Sequence, residues 1–303
     1  MTPIDPDPRL SVVVLTHRRT GELLRTLHRL SALPEQPRLI VVDNDARGRS
    51  AERVAREFPQ VQLVRCPRNL GAAGRNAGVE RVRTPYVAFC DDDTWWAPGA
   101  LRRAAELLDA HPHLGALAAR VLVGPEECED PTCRFMARSP LPGAGLPGPA
   151  LIGFMAGAVV MRTEAFRAVG GYEPRLFIGG EERLMGLDLL TAGWQMAYEP
   201  GLTVHHHPSS SRDTRRRQLL HARNALWIAW LRLPGASLRH ETHRVLREAA
   251  DAGLLWPVLV RALVGLPWVL RHRRVVPPEV ERMRQQVLGA PRRIRARPAA
   301  AGA

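Results

Sequence analysis

The stretch FCDDDTWW, residues 89–96, closes an apolar run with three adjacent carboxylates and follows them with two tryptophans. Like charges on successive residues repel, so packing alone does not select Asp91, Asp92 and Asp93 together. A nearby positive group is required, and a divalent cation is the obvious candidate. An acidic turn or a helix N-cap is the plainer account of an isolated Asp-Asp-Asp. What the triplet means therefore depends on its surroundings.

The triplet's own run is 85–90 (PYVAFC), and three similar runs precede it: 10–15 (LSVVVL), Arg38–Asp43 (RLIVVD) and 61–65 (VQLVR). Residues with helical spacing lie between them, at Thr20–Ser31, 50–58 and 72–82. Apolar strands alternating with helices predict an α/β fold, with a mostly parallel central sheet covered by helices on both faces. Ligands bind such sheets beyond the carboxyl ends of the strands. The polar clusters fall there: THRR after the first strand, DND at the end of the second, DDD after the fourth.

The chain has 303 residues and a formal charge of +13, and all of its basic residues are arginine. Such an excess favours phosphates, anionic membrane surfaces or nucleic acid as partners. No arginine-studded recognition helix or known binding motif is present, which excludes nucleic acid. Cys128 and Cys133, in ECEDPTC, have no second pair to complete a zinc site and read as ordinary thiols. The N-terminus lacks a basic-then-apolar leader, so the main domain is expected in the cytoplasm.

Residues 124–149, rich in Pro and Gly, read as a long loop. A composition shift near Pro234 divides the chain into a main domain, 1–233, and an Arg-rich helical extension, 234–303, broken by Pro257, Pro267 and Pro277–Pro278. The segment AGLLWPVLVRALVGLPWVL carries Arg261 and two prolines, so it is a poor spanning helix. Trp256 and Trp268 with flanking arginines suit an interfacial helix peripheral to the inner face of the cell membrane. A helical hairpin packed on the main domain is the alternative. The last residues, PRRIRARPAAAGA, are expected to be disordered.

Taken in order, SVVVLTHRR, LIVVDNDA, NLGAAGRNAGV, FCDDDTWWAPGAL, GAVVMRTEAFRAVGGYEP and GGEERLMGLDLLTAGW resemble the family 2 (GT2) glycosyltransferases over about residues 10–230. The resemblance implies the Rossmann-like GT-A fold and a nucleoside-diphosphate sugar donor. It also implies Mg²⁺ or Mn²⁺ as cofactor and a hydroxyl acceptor on a glycan, lipid carrier or natural product. In its DxD register Asp91 lies towards the ribose and Asp93 binds the metal, while Asp92, its neighbour on an extended segment, faces the other way. Asp43, Asn44 and Thr16 correspond to the nucleobase turn. Arg75 is placed to meet the diphosphate or base. His205, with His206 as the next choice, completes the metal site.

The family's base is the Asp of a Glu-Asp pair ahead of a helix. Here the pair is Glu181–Glu182, which makes Glu182 the expected base and Glu181 its alternative. Two further departures are Leu184, where the family has a second acid, and Asp188, where it has an arginine; if the two interact, both have been lost together. Of Trp95 and Trp96, one is expected to pack and the other to touch substrate. Arg212, Arg215, Arg216 and Arg217 offer charge to an anionic donor or lipid. The expected activity is an inverting, metal-dependent glycosyltransferase. A sugar-phosphate nucleotidyltransferase and a non-catalytic nucleotide-sugar or membrane-binding scaffold are the alternatives.

Overall fold

The valines of the first strand, Val12, Val13 and Val14, are fully buried, as a strand covered on both faces requires. The computed structural model describes residues 7–48, 50–208 and 214–290; Arg212 and the segment expected to be disordered lie outside them. Nine strands form one sheet: β1 Leu10–Thr16, β2 Arg38–Asp43, β3 Gln62–Arg65, β4 Tyr86–Asp91, β5 Thr94–Trp96, β6 Leu114–Val123, β7 Cys128–Glu129, β8 Val159–Arg162 and β9 Gln195–His206. Their order is β3-β2-β1-β4-β8-β6-β9-β5, with β7 on the edge of β6.

The first half, β3-β2-β1-β4, is parallel, as predicted. In the second half only β6 and β9 run parallel, and β8, β7 and β5 pair antiparallel. By paired length the sheet is therefore mostly parallel, with short antiparallel ladders confined to its second half. Short hairpins and returns, which an apolar-run pattern does not reveal, set those directions.

Register aligns the chemistry. Thr16 pairs with Asp43, Leu15 pairs with Asp91, and all three strands end on the same edge. The predicted helices appear at Thr20–Ser31, Ala51–Glu57 and Gly74–Val79, the last entered through a 3₁₀ turn at Gly71–Ala73.

The supposed long loop after residue 124 contains β7 and a helix, Pro131–Ala137. Asp130 caps that helix by accepting from the Thr132 N–H at 2.7 Å, and Pro131 opens it. Asp-Pro is a helix-start signal. All four cysteines are free, and Cys133 is buried beside β6.

A second apolar cluster joins Leu184 and Leu187 to five C-terminal helices: Thr214–Arg232, Gly235–Asp251, Leu255–Val264, Leu266–His272 and Pro278–Gly289. Pro234, the expected boundary, lies between the first two of these. Pro257, Pro267 and Pro278 sit in the first turns of their helices, where a missing N–H costs nothing. Among the described residues no helix is long and apolar enough to cross a membrane.

Candidate active site

The carboxyl edge of the parallel strands opens into a cleft of about 1660 Å³. Thr16, Asn44, Arg75, Asp91, Asp92, Asp93, Glu181 and Glu182 all line it. Asp43 and His205, from the same set of expected residues, do not.

The Asp-Asp-Asp repulsion is relieved by two arginines. Arg19 places one guanidinium nitrogen 2.7 Å from Asp92 Oδ1 and the other 2.7 Å from Asp93 Oδ2. Arg75 pairs with Asp91. The expected alternation along an extended segment is not seen: Asp92 and Asp93 form a turn and are both buried on Arg19, while Asp91, ending β4, is 41% exposed. Asp92 accepts a hydrogen bond from Thr16 Oγ1 at 2.9 Å. Burial pushes its pKa up to about 7 against the pull of Arg19 and Thr16. Burial alone would raise Asp93 too, but the neighbouring His206 and the hydrogen bond from Arg19 outweigh it and hold that carboxyl below its usual range.

His206 stands with Nε2 3.6 Å from Asp93 Oδ1. His205, the first choice from sequence, is turned away: it lies 2.9 Å from Glu127 and stacks on Trp95 with ring centroids 5.5 Å apart. The cause is strand alternation. β5 pairs Thr94 with His206 and Trp95 with His205, so only His206 shares the face of the carboxylates. Trp96 is fully buried and Trp95 sits under Arg29, so neither tryptophan lines the cleft and the expected substrate contact is not seen.

Among the described residues no three carboxylate, imidazole or thiol groups converge as a ready-made metal cage. The oxygens of Asp91 and Asp93 with the His206 imidazole are nonetheless a donor set that suits Mg²⁺ or Mn²⁺, ions that retain water and need few protein ligands.

Several of these residues are spent on positioning. Asn44 donates to Gly71 O and accepts from the Leu70 N–H, both at 2.9 Å, and so ties β2 to the turn that starts the Arg75 helix. Gly71 has φ +62°, and a Cβ there would lie 1.9 Å from Phe177 O, so only glycine allows that turn to meet the 177–180 segment. Asn76 clasps the backbone of Tyr172 from both sides, at 2.8 and 2.9 Å. Asp43 is wholly buried; Oδ1 accepts from the Asp45 N–H at 3.0 Å, and Oδ2 has no protein partner. Burial raises its pKa.

The Glu181–Thr191 helix is entered through Gly180, at φ 92°. Glu182 faces the cleft without a side-chain partner among the described residues, and burial followed by repulsion from Glu181 pushes its pKa up to about 7. Burial also raises Glu181, whose Oε2 is unpartnered. Arg75 is 4% exposed, and its Nε has no partner.

The structure explains the two departures along this helix. Leu184 is buried in the second apolar cluster, and Asp188 pairs with Arg232 of the following helical bundle. The same bundle supplies Asn224, wholly buried, whose amide donates to Leu176 O at 2.9 Å, Ile178 O at 3.0 Å and Gly179 O at 2.6 Å. Arg183 reaches Glu241 at 3.0 Å. Sequence reasoning missed Arg19 and Asn224. Arg19 lies within the quoted THRR, but nothing local marks Asn224.

The match to known proteins agrees with this geometry. Residues 11–170 match the model of Glycosyl transferase family 2, and the chain belongs to that family. It is 26% identical over 237 residues to the N-acetylglucosaminyl-diphospho-decaprenol L-rhamnosyltransferase of Mycobacterium tuberculosis, covering 67% of this chain and 77% of that protein. It is 28% identical over 238 residues to the pre-mycofactocin glycosyltransferase of the same species, covering 75% of this chain and 49% of that protein. The fold is that of the GT-A glycosyltransferases. A mannosyltransferase from Pyrobaculum calidifontis, solved with GDP-Man and Mn²⁺, superposes with TM-score 0.56 at 16% identity, over 94% of this chain and 87% of that one. GalNAc-T7, solved with UDP, GalNAc and Mn²⁺, gives 0.55 at 15% identity, over 74% and 48%. The protein is a glycosyltransferase that draws on a nucleotide-sugar donor.

Proposed function

We propose that the transfer is an inverting, one-step displacement onto a hydroxyl acceptor, with Glu182 as the base. Its carboxylate takes the hydroxyl proton as that oxygen forms its bond to the anomeric carbon. The bond from that carbon to the diphosphate oxygen breaks on the opposite side, and the nucleoside diphosphate leaves. The observation that carries this reading is Glu182 itself: it faces the same cleft as Arg75 and the aspartates, with a pKa of about 7 suited to accepting a proton near neutrality.

Arg75 has a buried, unpartnered Nε beside its Asp91 contact and is the proposed diphosphate clamp. Asp93 and His206, with Asp91, are the residues that would hold Mg²⁺ or Mn²⁺, and the ion would stabilise the charge developing on the leaving diphosphate. Thr16, Asn44 and Asp92 act by fixing the loops around the donor. Asp43, wholly buried and outside the cleft lining, supports the nucleobase turn from beneath by accepting the Asp45 N–H.

Among hydroxyl acceptors (glycan, lipid carrier or natural product) a lipid-linked one fits best. Arg134, Arg138, Arg216 and Arg217 line the cleft together with the exposed apolar side chains of Phe135 and Leu288. The mycobacterial relative named above acts on a diphospho-decaprenol lipid. A peripheral position on the inner face of the cell membrane follows from such an acceptor.

The test is incubation with a panel of nucleotide sugars and Mn²⁺, read as nucleoside diphosphate release. Wild type should release the diphosphate from one donor class, and Asp93→Ala should not. Release unaffected by both chelation and Asp93→Ala would sink the metal assignment.

A further inference from the structure

We infer that one face of the Leu255–Val264 helix and the adjoining Leu266–His272 helix is the docking surface for an anionic lipid bilayer. The inference deepens the peripheral placement above and rests on it, but not on the chemistry assigned to Glu182. The first of these helices is apolar on two sides. Val258 and Ala262 are buried in the second apolar cluster. Trp256, Val260, Leu263 and Val264, spaced four, three and one apart, form a second stripe that nothing among the described residues covers; Trp256 is 74% and Val264 78% exposed. Leu270 continues the exposed apolar surface on the next helix.

A helix whose inner face already fills a core gains nothing in water from a second apolar stripe. The charge pattern selects the occupant. Between Asp251 and Glu279 there is no acidic residue, while Arg261, Arg271 and Arg274 are exposed. Tryptophan and valine beside arginine, with no carboxylate, match the boundary between acyl chains and anionic headgroups. A self-associating or protein-binding face has no need to exclude acids over such a length. The helices are too short to span, so they lie on the bilayer.

The experiment is sedimentation of the full-length protein with vesicles of phosphatidylcholine alone and with about 30% phosphatidylglycerol, at low and high salt. Binding is expected only with the anionic lipid, weakened by salt. It should fall at least about tenfold in Trp256→Asp/Val264→Asp, through lost apolar burial, and to a lesser degree in Arg261→Gln/Arg271→Gln. The arginine variant keeps the apolar stripe, so it remains informative if the aspartate variant folds poorly. Failure of wild type to bind anionic vesicles overturns the proposal. So does a lipid-free dimer, seen by analytical ultracentrifugation, that the aspartate variant abolishes. Nucleoside diphosphate release measured on the same samples separates the two ideas. Wild type that releases nucleoside diphosphate but does not bind anionic vesicles defeats the docking face alone, whereas wild type that binds vesicles without releasing it defeats the catalytic assignment.

Discussion

Arg232 Nη2 lies 3.0 Å from Asp188 Oδ2 and fastens the helix that carries Glu181 and Glu182 to the C-terminal bundle. Both side chains are largely buried, so each is costly to leave alone. Asp188→Asn or Arg232→Ala should lower unfolding stability by about 1–3 kcal/mol and reduce kcat more than KM. The reversed pair, Asp188→Arg with Arg232→Asp, should recover part of the loss. Denaturant titrations and steady-state kinetics of the three variants check this, and additive losses in the reversed pair would refute the coupling.

Asn224 holds three carbonyls of the segment ahead of Gly180. Asn224→Ala takes the amide from Ile178 O and Gly179 O, while Leu176 O keeps Arg223 and the Ile178 N–H, and should cost roughly 1–3 kcal/mol. Donor affinity should change little, because Asn224 lies outside the donor contacts. Calorimetric donor titration against thermal unfolding separates the two effects.

Glu182 ties both activity and stability to pH. Its folded pKa, about 7, lies above the ordinary value near 4.5. The unfolded chain therefore loses this proton first, and folding stability falls as pH rises from about 4.5 to 7. Glu182→Gln removes that penalty. The variant should be more stable than wild type at pH 8, by roughly 1–3 kcal/mol, and equal to it at pH 4. Turnover in wild type should rise with pH through an acid limb near 7, since the base must be ionised. Equal melting temperatures of the two proteins at pH 8 would contradict the assignment.

Arg19 holds Asp92 and Asp93 together without a metal. Arg19→Ala should destabilise the protein by on the order of 2–4 kcal/mol in chelator, and Mn²⁺ should restore part of that. His206→Ala should weaken Mn²⁺ binding by about 10-fold or more, as expected for loss of one ligand. His205→Ala should leave it unchanged. Equal effects of the two histidine variants would return the choice to the pair.

The parallel half of the sheet was legible because β1, β2 and β4 are buried on both faces and read as unbroken apolar runs. The placement of Asp91, Asp93 and Arg75 followed from strand ends and the family's segments. The family's register over LTVHHH points to His205, but a run of three histidines carries no facing information, and only the β5 pairing puts His206 on the side of the carboxylates. Asn224 and the Asp188–Arg232 pair were not legible at all, since both depend on a helix that meets the catalytic helix only through long-range packing. The helix at Pro131 is marked in the sequence only by the Asp130–Pro131 N-cap signal, set within a stretch otherwise rich in Pro and Gly.

The most direct test of the central claim compares Glu182→Gln, Glu181→Gln and wild type for donor binding and for nucleoside diphosphate release, on the same Mn²⁺-loaded samples. The account predicts that Glu182→Gln binds donor within about twofold of wild type yet loses turnover by at least about 100-fold, while Glu181→Gln retains measurable turnover. Wild-type turnover in Glu182→Gln would contradict it.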